Sequence, residues 1–301
     1  MNENERAMIM ASLAADSLAM GVHWIYDTKA LQSKFGLVDH LLPPGPDSYH
    51  PTKKKGEFTH YGDQSLVLLK SVARSGGFDP NDFFDLWQEL FRDYDGYIDQ
   101  ATRVTLENIA QGKGPYNSGS GSSDIAPASR IPSLVASLGN DPEQLIKAVR
   151  AQTMMTHTDP DTIDSAAFFA LVALECLGGM TPSQAVLTIA ETRFKDSPIL
   201  EWTRQGLDAA GEDSVEAVGR LGQSCHTEDA FAGIVQIIAK YEEDLSKGTV
   251  AAVMAGGDNA ARASLVAMIL AAARGMDEES QEWFQELAQK ETVLQCLERL
   301  S

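Results

Sequence analysis

Asp79-Pro80-Asn81-Asp82-Phe83-Phe84-Asp85-Leu86-Trp87-Gln88-Glu89-Leu90-Phe91 reads as helix from its first residues. Asp79 offers an N-cap oxygen, and Pro80 stands at the first helical position, where a missing N–H costs nothing. Phe83, Phe84, Trp87 and Phe91 then fall on one face at helical spacing. The same grammar recurs at Asp141-Pro142-Glu143-Gln144 and Thr181-Pro182-Ser183-Gln184. Thr181 and Gln184 have the spacing of a capping box. Leu145, Ala148 and Val149 continue one face of the second of these helices. Helical periodicity also covers 6–20, 64–74, 98–111, 163–177, 198–210, 214–221, 228–244 and 261–273. Alternating apolar and polar runs of strand length are scarce, and no hairpin turn is framed by them. The expected class is all-α.

The 301 residues contain no linker-like stretch and no repeat of 20–50 residues, so one domain over 1–301 is expected. The longest apolar run, 166–174, stops at Glu175, well short of the ~18 residues of a membrane helix. The polar start, Met1 to Arg6, leads directly into helical periodicity and is read as neither signal nor transit peptide. Lys and Arg number 24 against 43 Asp and Glu, a net charge of −19. Such a chain repels nucleic acid and anionic lipid, so neither is an expected partner. Cys176, Cys225 and Cys296 form no CxxC pair, and a cytoplasmic location fits them best. Oligomeric state is not legible.

Two loops stand out. Residues 42–56 carry four prolines and Lys53-Lys54-Lys55; residues 111–132 are rich in Gly and Ser and hold Ser122, Asp124 and Arg130. Unstructured loops of this length are functional or mobile surface.

Four short segments place carboxylates at helix ends or beside glycine. Asp16, on an otherwise apolar first helix, needs a buried partner, either another segment's amides or a ligand. Asp63 in Tyr61-Gly62-Asp63-Gln64-Ser65 reads as an N-cap. Asp159 in Thr156-His157-Thr158-Asp159-Pro160 caps the next helix, beside His157. Gly256-Gly257-Asp258-Asn259 opens an Ala-rich helix, its glycines allowing close backbone approach and its amides favouring an anion. Four such segments at different helix ends point to one convergent site. Templates for dinucleotide, P-loop, HExxH, EF-hand and GxSxG sites are absent, and the six histidines show no i, i+4 pair.

The ordered set resembles the ADP-ribosylglycohydrolase family. Ala15-Asp16-Ser17-Leu18-Ala19 stands for its first motif, Gly62-Asp63-Gln64-Ser65 for its T-D-D-T motif, and Ser122-Ser123-Asp124 with Ala128-Ser129-Arg130-Ile131 for its N-G-S-A-M-R-I loop. Thr156-His157 matches a T-H motif, and Gly256-Gly257-Asp258-Asn259-Ala260-Ala261 the final G-G-D-T-D-T motif. The resemblance implies an all-α, single-domain orthogonal helical bundle that cleaves the anomeric bond of an ADP-ribosyl group or related glycoside. It also implies two Mg²⁺ ions in active members, held by oxygen ligands.

Gln64, Ser65, Ala260 and Ala261 depart from the metal motifs, and the G-G-D-N-x-x-R form is more like the J1-crystallin branch, whose members need not be enzymes. Asp63 and Asp258 remain as expected catalytic residues and as ligands of at most one weakly held Mg²⁺. Asp16, Gln64, Ser122, Asp124, Arg130, His157 and Asn259 are the expected substrate-binding residues. Arg130 is read either as an anion fork or as a tie from a helix end to a carboxylate. Arg262 is a fixed charge that could stand where a cation would sit. Three functions fit: an ADP-ribosylglycohydrolase-like hydrolase, an inactive nucleotide binder, and a crystallin-like structural protein.

Overall fold

The computed structural model describes residues 1–300 as sixteen α-helices joined by turns. In chain order they are α1 (Glu3–Met20), α2 (Thr28–Phe35), α3 (His60–Ser75), α4 (Pro80–Arg92), α5 (Gln100–Ala110), α6 (Pro132–Leu138), α7 (Pro142–Met154) and α8 (Pro160–Leu177). There follow α9 (Pro182–Arg193), α10 (Pro198–Asp208), α11 (Ser214–Leu221), α12 (Thr227–Lys240), α13 (Leu245–Met254), α14 (Asn259–Arg274), α15 (Glu278–Gln285) and α16 (Lys290–Arg299). A 3₁₀ turn occupies Ala126–Arg130. Among the described residues extended pairing is limited to two isolated bridges, Ser120 with His157 and Asp124 with His226. The all-α expectation holds.

The first and last motif-bearing helices form the centre. In α14 every residue from Asn259 to Ala272 is buried, and in α1 every residue from Ala11 to Met20. Both are rich in alanine, so their axes approach closely and their ends stay in register. This pairing brings residues more than 230 positions apart into contact, His23 with Asp258 among them. Helix α8 is also buried over most of its length, through Phe168, Phe169 and their neighbours. Shorter amphipathic helices surround these three; α4 buries Phe83, Trp87 and Phe91 and leaves Phe84 half-exposed.

Most helix starts behave as read. Asp79 accepts from the amides of Asn81 and Asp82, Asp141 from Gln144, and Asp159 from Thr162. Two differ. Thr181 makes no side-chain cap, because Glu242 Oε2 takes the Ser183 amide at 3.1 Å instead. Helix α3 begins four residues before the expected 64: Thr59, not Asp63, is its N-cap. The cause is a long-range contact. Asp16 on α1 accepts from Thr59 N at 2.8 Å, Thr59 Oγ1 at 2.6 Å and Gly62 N at 3.1 Å, supplying the donors of the first turn with their acceptors.

The expected helix over 228–244 ends at Lys240, and α13 follows it separately. The Gly- and Ser-rich loop is buried mainly in its second half: Ser118, Ser120 and residues 124–132 are covered, while 111–117 are not.

Candidate active-site cleft

Three segments without regular structure meet where α1, α12 and α14 end or begin. Trp24 N donates to Gly257 O at 3.0 Å, Gly257 N to Ile25 O at 2.9 Å, and Asp258 N to Gln223 O at 2.9 Å. Gly256 and Gly257 both have positive φ, 67° and 62°. A side chain at Gly257 would strike the Gln223 carbonyl, and one at Gly256 would meet Ile25 O at 2.6 Å. The paired glycines therefore let two loops close over the α14 N-terminus. Trp24, with φ of 63°, is the only non-glycine in that region among the described residues, an outlier of the kind held in place by its surroundings at functional sites.

The Gly- and Ser-rich loop is laced to two neighbours. Ser120 N donates to Thr156 O and Thr158 N to Ser120 O, at 2.9 and 2.8 Å; Ile125 N donates to Cys225 O and Thr227 N to Ser123 O, at 2.9 and 2.7 Å. Between this loop, α5 and Trp24 lies a cavity of about 530 Å³. Its walls are Trp24, Tyr97, Asp99, Gln100, Ala101, Val104, the segment 120–124, Cys225 and His226. The size falls in the range of small-ligand sites, and an aromatic wall opposite a few polar groups is their usual make-up.

Asp124 and Ser122, both expected substrate-binding residues, stand in the wall of this cleft. The Asp124 carboxylate accepts from Ala126 N at 2.9 Å, and its own amide donates to Ser122 Oγ at 3.2 Å. Burial, with the nearby negative charges of Asp258 and Asp99, lifts its carboxyl well above the usual carboxylate range. Asp99, which the sequence reading missed, borders both the cleft and a small adjoining recess with Tyr61, Gln64, Arg130 and His157. Burial alone would raise its carboxyl; His60 and the Thr102 amide outweigh burial and hold it below the ordinary value. Trp24, Tyr97, Cys225 and His226 were missed too.

The other expected site residues are engaged inside the protein. Asp16 holds the α3 cap and is 1 % exposed; burial raises its carboxyl to about 6 against the pull of Thr59. Gln64 Oε1 accepts from Trp87 Nε1 at 2.8 Å and Arg130 Nη1 at 3.0 Å, and Arg130 Nη2 donates to Thr156 Oγ1 at 2.7 Å. Arg130 thus ties α3 to the start of the α8 segment rather than presenting a fork to the open cleft, and its partners are neutral oxygens, not the expected carboxylate. Asn259 donates to the carbonyls of Val22 and Val253 at 3.3 and 3.1 Å. His157 Nδ1 faces Thr156 Oγ1 at 2.9 Å, while its Nε2 is buried at the recess without a partner.

Asp63 and Asp258 have separate partners. Asp63 Oδ2 receives the Lys53 ammonium at 2.5 Å and the Tyr94 hydroxyl at 2.6 Å. Asp258 Oδ1 lies 3.0 Å from His23 Nε2. Mg²⁺ takes near-octahedral oxygen donors and keeps its waters. An ammonium already occupies Asp63, an imidazole meets one oxygen of Asp258, and Ala260 and Ala261 offer no side-chain oxygen. The residues present do not fit a Mg²⁺ shared by these two carboxylates. Arg262 Nη1 instead closes the end of α13, donating to Ala252 O and Gly256 O at 3.2 and 2.8 Å.

Removing the ammonium should be felt. Lys53→Met is expected to lower stability by ~1–2 kcal/mol, since Asp63 is largely buried and keeps only one charge-assisted partner. An unchanged urea midpoint would show the pair to be solvated and idle.

The order of motifs along this frame matches one family throughout. Its model, described as ADP-ribosylglycohydrolase, covers residues 2–301. The chain belongs to the ADP-ribosylglycohydrolase family. Crystallin J1A of Tripedalia cystophora is 25% identical, over 99% of this chain and 96% of that protein. Crystallin J1B of the same organism is 24% identical, over 91% and 88%. An uncharacterized protein of Archaeoglobus fulgidus is likewise 24% identical over 91% and 88%. A solved structure described as an ADP-ribosylglycohydrolase-related protein complex superposes with a TM-score of 0.75 at 21% identity, covering 100% of this chain and 99% of that one. That likeness shows the fold. No helix among the described residues is long and apolar enough to cross a membrane.

Proposed function

We propose that this protein is a glycohydrolase acting on the anomeric bond of an ADP-ribosyl group or a related glycoside, without the two-Mg²⁺ centre of the family pattern. The observation that carries the reading is the open cleft bordered by two carboxyl groups in unlike surroundings. Glycoside cleavage needs a proton for the leaving oxygen and negative charge near a cation-like carbon. Asp124, whose carboxyl is pushed up by burial and by the nearby charges of Asp258 and Asp99, supplies the proton. Asp99 on the same cleft supplies the charge. Trp24 and Tyr97 offer flat faces to a base or sugar, and Ser122 and Ser123 offer hydroxyls to its polar edges.

The family and the cleft favour an ADP-ribosyl ligand, linked to a protein or a small molecule. The crystallin relatives favour a second reading, a structural protein on the same fold. A cleft of this volume counts against that reading, because a purely structural role gives no reason to keep it open.

Thermal melting with ADP-ribose tests the proposal. At 100 times its dissociation constant the ligand should add about 2.7 kcal/mol of stability, and Trp24→Ala should remove most of the gain. Release of free ADP-ribose from N- or O-linked ADP-ribosyl peptides then separates hydrolase from inactive binder. Absence of any shift with ADP-ribose, ADP or ribose 5-phosphate would favour the structural reading.

A further inference from the structure

We infer that His23, His50 and His60 form a binding site for a divalent transition ion of the Zn²⁺ class. One ring nitrogen from each lies within 4.8 Å of the others. All three side chains are buried, at 3%, 0% and 0% exposure. They come from three places: the turn after α1, the proline-rich loop, and the first residue of α3.

Apart from one contact between His23 and His50, the ring nitrogens of the cluster that meet no carboxylate lack protein partners. His23 Nδ1 and His50 Nε2 lie 2.9 Å apart, while His50 Nδ1 and both nitrogens of His60 are buried without a hydrogen bond. Unmet buried polar atoms cost stability, and an ion among the imidazoles would give His60 a partner and take the place of the His23–His50 hydrogen bond. Two nitrogens bound to one tetrahedral ion stand about 3.3 Å apart, from metal–nitrogen lengths of ~2.0–2.1 Å. The His23–His50 pair needs to open by only a few tenths of an ångström.

The far sides of the rings carry a second signal. His23 Nε2 meets the Asp258 carboxylate at 3.0 Å. His60 Nε2 lies 3.2 Å from Asp99 Oδ2, within ion-pair range though not aligned as a hydrogen bond. Ligating histidines typically hold a carboxylate on the other nitrogen, which fixes the ring and raises its basicity. Two carboxylates also balance the charge of a divalent ion in a buried place. Imidazole nitrogens select Zn²⁺, Co²⁺ or Ni²⁺ over Mg²⁺.

The inference does not rest on the cleft binding ADP-ribose, and its test reads the metal itself. The full chain, stripped with chelator, is titrated with Zn²⁺ and separately with Co²⁺. Expected are one ion retained per chain through gel filtration, visible Co²⁺ ligand-field bands, and a rise in melting temperature that Mg²⁺ does not reproduce. His50→Gln and His60→Gln should each abolish the bands, and Asp258→Asn should weaken binding about 10–100-fold. Failure of the wild-type chain to retain either ion, or bands that survive in both histidine variants, would overturn the assignment and leave a neutral imidazole stack as the structure's own packing.

Discussion

Asp124→Asn is expected to lower kcat for release of the ADP-ribosyl group by about 10²–10⁴-fold, the usual range for loss of a general acid, with little change in KM. Asparagine keeps the size and can still accept from Ala126 N, the 2.9 Å bond that orients the side chain. It cannot give up a proton. The direction with pH follows from the raised carboxyl of Asp124. A general acid works while protonated, so the rate should hold at low pH and fall as pH rises through that raised value. The variant should lose this alkaline limb as well as the rate. Full activity in Asp124→Asn, or an unaltered pH profile, would take the acid role from Asp124 and leave the cleft as a binding site only.

How far the cleft was legible from sequence differs by segment. The helical grammar at Asp79, Asp141 and Asp159 is local chemistry, satisfied within four residues, so it could be read directly. Ser122 and Asp124 were legible as candidates because they lie in a long loop rich in Gly and Ser and stand where the family's loop motif begins. Asp99 was missed because it also reads as an ordinary cap: its carboxylate accepts from Thr102 N at 2.6 Å at the start of α5. Its position against His60 and the cleft exists only after folding.

His23, His50 and His60 were missed for a related reason. Metal pairs within one helix show as a spacing, whereas these three are gathered by the α1–α14 pairing and by the turn-rich segment that ends at Thr59. Asp16, Gln64, Arg130 and Asn259, expected in one site, have internal hydrogen-bond partners instead of open faces on the cleft. Each supplies long-range ties to backbone or to other side chains. A motif shows that a residue type matters at a position, but not whether its partner is a ligand or the protein's own backbone.

Asp16 makes that difference measurable. Asp16→Ala is expected to destabilise the fold by about 3–5 kcal/mol, the cost of removing one partner from a buried charged network. Thr59 N, Thr59 Oγ1 and Gly62 N would all lose their acceptor at once. Each buried donor left unmet costs about 1–3 kcal/mol, with some relief if water enters the space. Thr59 Oγ1 would still cap Tyr61 N at 3.1 Å, but that bond meets none of the three donors that face Asp16. The loss is a large part of the 5–15 kcal/mol typical of a whole domain, so urea unfolding should shift to much lower concentration. Asp16→Asn should lie between the two, since its amide oxygen can accept but its NH₂ faces donors. Because the start of α3 carries His60 and Gln64, the damage should also spread to the imidazole cluster and to the Arg130 tie. If Asp16→Ala instead kept its unfolding midpoint and lost only ligand affinity, the carboxylate would belong to the substrate and not to the fold.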